Sequence, residues 1–500
     1  MMRSRPLRVL LTTEGTFPFY AGGVSKWCDR LTHGLPDIDF RVLAIVTNPY
    51  PELKYEIAPN VQEVIKVPQW GLLQPAEFSS HQPTSAVLRN FWGTTPQVLS
   101  KHFKPLFERF FALLFSINSD KEELGLVLLG LQDYFQHYDY ARTMNSVEAW
   151  RVFQHAVHAS WDCRPRSAGD PTLAEVKQAY RLLYHLLMVL HFPIPRADIT
   201  HSSAAGFCGL PCVLSKLVDE TPYLLTEHGV YIREQYLNLR RQMKSLFVRW
   251  FLYRLVENIV ELNYFFADQV SPVCGFNSRW EMQLGVPEER IKVIFNGVDP
   301  DRFFPCKRER NDRPQIATVG LIYPLKGQLH LIRAAAHLKE RFENLEVQFY
   351  GAATDTEYFD ECKRTMSELH LENNVTFAGT TKEPWKAYSN ADVVAFPSIS
   401  EAFPFAVLEA MFCGAAIVAT DVGGVAEALG DCGLLVPAKT PQAMAEAISY
   451  LLGDRAARER LGCMARLRAL EHFTEQEFLN LYSNTYRELL AGQPQKLIRL

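Results

Sequence analysis

Two short runs of β-branched and apolar residues, Ala391-Asp-Val-Val-Ala-Phe-Pro397 and Ala415-Ala-Ile-Val-Ala-Thr420, bracket the stretch Ser398-Ile-Ser-Glu401-Ala402-Phe403-Pro404-Phe405-Ala-Val-Leu-Glu409-Ala-Met-Phe-Cys-Gly414. Such runs are what strands buried on both faces of a parallel sheet carry, so the segment reads as strand, loop, helix and strand. Pro404 suits the first turn of the helix, where its missing N–H is not called on and its fixed φ is already helical. The helix therefore begins just after Glu401. Its free N–H groups and the positive end of its dipole face the carboxyl edge of the sheet, where open α/β folds bind anionic ligands.

Glu401 lies in the loop at that edge, and Glu409 lies about a turn and a half inside the helix. Carboxylates so placed accept paired hydrogen bonds from a vicinal diol, as a ribose or hexose presents, and a phosphate would lie on the N–H groups between them. Read alone, both glutamates are also explained as helix-start acids favoured by the dipole. In this loop-helix setting the spacing Glu-x7-Glu resembles the donor-binding motif of retaining glycosyltransferases of family 4, which have the GT-B fold.

Toward the N-terminus, Arg8-Val-Leu-Leu-Thr-Thr13 reads as a strand, Glu14 to Gly23 as a loop and Val24 to Leu35 as a helix. The pair Gly22-Gly23 lets a ligand approach the backbone closely with helix N–H groups behind it; it is equally an ordinary turn. The loop resembles the acceptor and diphosphate loop of family 4. Its wording, Glu14-Gly-Thr-Phe-Pro-Phe and then Gly22-Gly-Val-Ser-Lys-Trp27, is most similar to the PelF-type branch, which contains the Pel exopolysaccharide glycosyltransferase. Residues 39–47 and 61–67 are the next strands.

From about residue 68 to residue 195 the alternation of strand and helix stops. Leu106 to Phe115, Leu124 to Gly130 and Tyr180 to Leu190 are apolar with helical spacing, which predicts a helical insertion of a size and place that the PelF-type branch also has. Its apolar faces are either core or a docking surface for a partner or a membrane.

The alternation resumes at Ala197 to His201. Pro222-Tyr-Leu-Leu-Thr226 is a strand ending in Glu227-His228-Gly229, which puts a histidine at the carboxyl edge of the sheet. A lone histidine there is either structural or within reach of a donor hydroxyl; Thr226-Glu-His-Gly-Val-Tyr-Ile-Arg233 resembles the family segment whose histidine reaches the donor sugar. Arg233 either neutralises phosphate or is a solvated surface cation. A long helix from Lys244 to about Phe266, strands at Gln269 to Cys274 and Arg290 to Ile294, and a helix from Asn277 to Leu284 lead to Asn296-Gly-Val-Asp299, similar to the end of the family's first domain. Residues 305–314, rich in charge, read as the linker.

The second domain opens with a strand at Gln315 to Gly320, and Lys326-Gly327 follows at a strand-to-helix turn, where an ammonium meets a diphosphate unless it is an ordinary surface lysine. The family pattern places Gly-Arg before Lys-Gly, with both cations on the diphosphate. Here Leu321 stands where the arginine is expected, which removes one of two charge-assisted contacts worth roughly 1.5–3 kcal/mol each. Ala402 departs too, adding a methyl group where the family commonly has glycine against the donor sugar. Glu346 to Gly351 and Val375 to Gly379 are strands whose terminal glycines resemble the loops that seat the nucleotide base. Asp421 to Glu427 is a glycine turn into a helix, Leu434 opens the last strand, and helices at 442–452 and 455–471 precede a tail helix at 474–490.

A chain of 500 residues is too long for one ordinary core. A net charge of −4 gives no global field for nucleic acid, and no apolar run approaches the ~18 residues that span a bilayer. The basic N-terminus lacks a signal-peptide core, and the ten scattered cysteines read as reduced thiols, so a cytoplasmic setting is the default expectation, with a peripheral position at the inner face of a membrane as an open alternative.

The expected fold is α/β, of GT-B type: two doubly wound parallel-sheet domains facing a cleft, residues 1–305 on the acceptor side with the insertion, residues 306–473 on the nucleotide-sugar side, and residues 474–500 crossing back. The resemblance implies retaining transfer of a hexose, UDP-glucose as first donor, to a hydroxyl of a saccharide or other acceptor, in exopolysaccharide or glycoconjugate synthesis. It implies no cofactor or metal, and a membrane-associated synthase partner reached through the insertion. By that resemblance His228, Glu401 and Lys326 act in catalysis; Gly22, Gly23, Arg233, Lys326, Glu401, Ala402, Phe403, Phe405 and Glu409 line the donor, with Glu409 on the ribose. With Leu321 in place of the arginine, the alternative is a catalytically weak sugar-nucleotide-binding subunit of a polysaccharide assembly complex. A glycoside hydrolase using Glu401 and Glu409 would leave Lys326 and the glycine loop unused.

Overall fold

The computed structural model describes residues 5–71, 74–78, 82–161, 169–307 and 313–492. The chain divides into two compact units: Met1–Ser271, Trp280–Lys292 and Asn484–Leu500 form the first, Pro272–Arg279 and Val293–Ser483 the second. Of the expected linker, residues 308–312 lie outside the described residues, as do residues 493–500 of the tail.

Each unit is built on a six-stranded parallel sheet. In the first, β1 (Leu7–Glu14), β2 (Ile38–Val46), β3 (Val61–Pro68), β4 (Ile199–Ser202), β5 (Tyr223–Glu227) and β6 (Gln269–Pro272) lie in the order β3-β2-β1-β4-β5-β6. In the second, β7 (Gln315–Val319), β8 (Glu346–Tyr350), β9 (Val375–Gly379), β10 (Val393–Phe396), β11 (Ile417–Thr420) and β12 (Leu434–Val436) lie in the order β12-β11-β10-β7-β8-β9. The two orders are the same topology, and in each the direction of winding reverses between the first and fourth strands. The loops leaving β1 and β4, and those leaving β7 and β10, therefore open at the switch points where doubly wound sheets bind ligands. All four residues of β4, β10 and β11 are buried; β10 and β11 are the β-branched and apolar runs that central strands carry, while in β4 the polar side chains of Thr200, His201 and Ser202 are hydrogen-bonded.

Between β3 and β4 the chain is helical, with its main helices at Thr84–Gly93, Lys104–Phe115, Lys121–His137, Val147–Trp161 and Leu173–Leu186. Local signals set their starts: the Asp120 side chain accepts from Glu123 N–H at 3.0 Å, and Thr172 and Glu175 close a capping box. Their apolar faces are core. Phe107, Leu114, Leu128 and Leu183 are fully enclosed and share one hydrophobic cluster with Leu10 and Leu43 of the sheet. Phe153 packs against Phe111, Tyr180 and Phe251 at ring-centroid distances of 5.6, 4.9 and 5.4 Å, tying the insertion to the helix Leu246–Phe266.

Two local expectations are corrected. Residues 290–294 form no strand: pairing reduces to one bridge, Val270 to Ile291, because the chain leaves the first unit between Lys292 and Val293. Pro404 caps the helix Phe405–Phe412 rather than entering its first turn, since its ψ of 123° is extended.

Candidate functional site

In the second unit, β7 and β10 are neighbours, with Val393 beside Ile316 and Val394 beside Ala317, so the loops that leave them run side by side. Ile399 N–H donates to Leu325 O at 2.7 Å and couples the two loops directly. Gly327 completes the fit. Its φ is +68°, and a Cβ there would stand 2.0 Å from Pro397 O, so only glycine permits the approach. The consequence is that Lys326 Nζ sits 2.5 Å from Glu401 Oε1.

Ser398 Oγ donates to the same oxygen at 2.7 Å, and among the described residues no donor reaches Glu401 Oε2. The site thus presents one occupied and one open carboxylate oxygen beside an ammonium with protons to spare. Burial works against the Lys326 charge, but the Glu401 carboxylate, Tyr323 and the hydrogen bond outweigh it, and the amine is held above its ordinary value. The loop is fixed from its other side by the turn after β11. Gly424 N–H donates to Ala402 O at 2.7 Å, Thr420 Oγ1 donates to Ser398 O at 2.5 Å, and at Gly423, with φ +59°, a Cβ would stand 1.8 Å from Glu401 O.

Glu409 lies on the helix that follows, 5% exposed, and Tyr388 Oη donates to its Oε2 at 3.3 Å. Ala402 and Phe405 are half-buried at the loop and helix start. The Phe403 ring is packed away, stacked on Phe295 at 5.0 Å and edge-on to Phe473, while its carbonyl accepts from Asn296 Nδ2 at 2.8 Å. Phe403 thus offers this loop its backbone and not its ring.

In the first unit, Gly22 precedes the helix Gly23–Gly34 with φ 171°, an extended conformation open to any residue. A Cβ on Gly22 or Gly23 would meet nothing within 4 Å, so no described part of the chain demands glycine at either position. Trp27 of that helix stands edge-on to His228 at 4.8 Å, which places the histidine beside the helix the glycines open. His228 Nε2 is buried with no hydrogen-bond partner among the described residues, and burial pushes the imidazole down to about 3. Arg233 is half-buried in the first turn of the helix Tyr231–Gln242.

Sequence reasoning assigned no role to four further groups here. Ser398 and Tyr388 hold the two glutamates. Glu14, at the end of β1, is half-buried and accepts from Tyr231 Oη at 2.8 Å and from Cys208 N–H at 3.2 Å. Burial raises its carboxyl above the ordinary value despite those bonds. His330 Nδ1 is buried without a partner among the described residues, at the start of the helix after Lys326. Glu14 at a strand end and Ser398 three residues before Glu401 carried a positional signal; Tyr388, distant in sequence from Glu409, carried none.

The profile of a family described as a domain of unknown function, DUF3492, matches residues 7–289, more than half of the chain. The chain belongs to the DUF3492 family. Beyond that region, residues 301–468 match the profile described as glycosyl transferases group 1, and this span holds Lys326, Glu401 and Glu409. The DUF3492 chain is 32% identical over 222 residues to the D-inositol 3-phosphate glycosyltransferase of Paenarthrobacter aurescens, covering 42% of this chain and 54% of that protein. It is 31% identical over 227 residues to the alpha-maltose-1-phosphate synthase of Mycobacterium tuberculosis, covering 40% and 57%. It spans about half the length of these curated relatives. Among solved structures, sucrose-phosphate synthase from Thermosynechococcus elongatus superposes with a TM-score of 0.62 at 19% identity over 97% of this chain and 100% of that one. Anabaena Alr3699/HepE, solved in complex with UDP, superposes at 0.58 with 16% identity over 96% and 100%. The DUF3492 chain therefore has the two-domain α/β fold of GT-B glycosyltransferases.

Proposed function

We propose that the chain is a retaining glycosyltransferase that moves a hexose from a nucleotide diphosphate sugar to a hydroxyl acceptor. The observation that supports this best is the Lys326–Glu401 pair at the β7/β10 switch point, with Glu409 one helix turn beyond. The open Oε2 of Glu401 accepts from donor-sugar hydroxyls, Glu409 accepts from the ribose diol, and Lys326 meets the diphosphate. As the glycosidic bond breaks, charge builds on the leaving diphosphate, and Lys326 with the N–H groups opening the helix Phe405–Phe412 stabilises it without a metal ion. Arg333 and Lys439, whose charges act on His330, are candidates for the cation that Leu321 does not supply.

The first unit takes the acceptor. Neutral His228 and the open space before Gly22 and Gly23 meet the reacting sugars, and Arg233 assists the phosphate. UDP-glucose as donor, an exopolysaccharide or glycoconjugate product, a cytoplasmic setting at the inner face of a membrane and a membrane-associated synthase partner follow from the PelF-type resemblance. Because the inner faces of the insertion are core, such a partner would meet its exposed rim, where Trp92 and Ile117 are 68% and 94% exposed.

The half-exposed Leu321 favours one second reading, a binding subunit with weak or no transfer. Thermal stabilisation and hydrolysis measured across UDP-, GDP- and ADP-sugars separate the two. The enzyme reading expects stabilisation by one nucleotide class together with slow sugar release, both lost in Glu409→Ala. Stabilisation without release with any acceptor extract supports the subunit reading, and no stabilisation by any nucleotide sugar refutes both.

A further inference from the structure

A hollow of about 440 Å³ opens in the first unit between the helices Tyr231–Gln242 and Leu246–Phe266. Its volume lies within the range of small-molecule sites. Three aromatic side chains, Tyr236, Trp250 and Tyr253, and two arginines, Arg240 and Arg249, line it; no carboxylate does. Tyr236 and Tyr253 meet edge to face at 5.7 Å. Trp250 is held in place from behind, stacked on Phe115 at 5.1 Å with 9° between the rings and edge-on to Trp161 at 5.3 Å. The helical insertion supplies both of those supports, so it serves as the backing of this wall.

The arginines are the unusual feature. Neither makes an ion pair among the described residues, although Arg254, one turn further on, is bonded to Glu257. Arg249 Nε is buried with no acceptor among the described residues. A buried guanidinium N–H without an acceptor costs stability, roughly 1–3 kcal/mol, unless a ligand supplies one. Rigid aromatic faces pack against the C–H face of a pyranose ring, and paired guanidinium groups bind a carboxylate or phosphate in two-pronged fashion.

The helix Tyr231–Gln242 links this hollow to the candidate site. It starts three residues after His228, and its rise puts Tyr236 and Arg240 roughly 7–14 Å from its first residue, one to three sugar units along a chain. We infer that the hollow lined by Tyr236, Arg240, Arg249, Trp250 and Tyr253 is an acceptor subsite for a sugar unit bearing an anionic group, a carboxylate or a phosphate. The inference rests on the proposed transfer reaction and narrows its acceptor to an anionic saccharide.

The test titrates the full chain, saturated with UDP so that the nucleotide site is filled, with methyl glucuronide, methyl glucoside and inorganic phosphate, following binding by ligand-observed NMR. The same titrations are run on Arg240→Gln, an exposed position that leaves the fold undisturbed, and on Arg249→Gln and Trp250→Leu. Methyl glucuronide is expected to bind at least ~10-fold more tightly than methyl glucoside, with the preference lost in both arginine variants and binding to either sugar lost in Trp250→Leu. Equal binding of the two sugars, binding of phosphate alone, or glucuronide binding unmoved by Arg240→Gln would overturn the inference. So would association with anionic phosphatidylglycerol vesicles in the absence of glucuronide binding. Nucleotide affinity, read with UDP, GDP and ADP on the same protein, keeps the two claims apart: intact binding of one nucleotide with no glucuronide preference refutes the subsite alone, and failure to bind any of the three refutes the transferase reading.

Discussion

Lys326 Nζ and Glu401 Oε1, 75 residues apart in sequence, lie 2.5 Å from each other because the loops leaving β7 and β10 are bonded through Ile399 and Leu325. Both groups are largely shielded, with 25% and 12% of their side chains exposed, so each compensates the other's desolvation. Lys326→Ala is expected to weaken UDP binding by about 10- to 100-fold, the loss of a charge-assisted contact of roughly 1.5–3 kcal/mol. Lys326→Arg is expected to restore it only in part, because a planar guanidinium does not reproduce the compact ammonium contact with Glu401. Calorimetric titration with UDP checks both; wild-type affinity in Lys326→Ala would remove the amine from the diphosphate.

Gly327→Ala is predicted to damage the site while leaving both sheets intact. The added carbon meets Pro397 O at 2.0 Å in a left-handed conformation, so the turn must move and carry Lys326 away from Glu401. The strain is of order 1–3 kcal/mol, and the expected result is a lower melting temperature together with a fall in UDP affinity comparable to that of Lys326→Ala. An unchanged affinity would show that the turn does not position the amine.

His228 is expected to stay neutral throughout the working range, since burial pushes it down to about 3; burial and the neighbouring His228 hold His201 at about 3 as well. The unfolded chain takes up these protons near 6.5, so the stability they contribute is complete above that pH and falls as pH drops toward 3, by up to ~1.4 kcal/mol per pH unit for each. Chemical denaturation at pH 7, 6, 5 and 4 should show this slope, reduced in His228→Gln. A limb near pH 6.5 in the kcat/KM profile that His228→Gln abolishes would contradict a neutral His228.

Glu281 carries the opposite sign. It is fully buried, its two oxygens have no partner among the described residues, and burial and then the nearby Glu227 raise its carboxyl well above the ordinary 4.5. Folded chains therefore keep a proton that unfolded chains release, and stability is lost as pH rises above that ordinary value. Glu281→Gln should raise the melting temperature by at least about 2 °C at pH 8 and by less at pH 5. A gain that is the same at both pH values would refute the buried, protonated acid.

The sheets were legible because most of their strands are short β-branched or apolar runs, several closed by glycine or proline, and because the strand-loop-helix grammar repeats in both units. Glu401, Glu409 and Lys326 stood out by position, at strand ends and helix starts where anions bind. What the sequence hid was partnership: nothing local tells that Tyr388 donates to Glu409, or that the Phe403 ring turns into the core. Whether the insertion's apolar helices were core or docking surface was equally hidden, because burial on one face looks the same in sequence whichever neighbour covers it. Residues 290–294 have strand composition, but a chain that leaves its unit midway cannot complete a ladder.

The central claim is nucleotide-sugar transfer at the Lys326–Glu401–Glu409 site, and its most direct test is NMR observation of UDP-[13C]glucose incubated with the full chain and acceptor saccharides. The account predicts release of UDP with a new glycoside of the donor's anomeric configuration, abolished in Glu409→Ala and Lys326→Ala. Intact UDP-, GDP- and ADP-sugars, with no binding of any of them to folded protein, would contradict it.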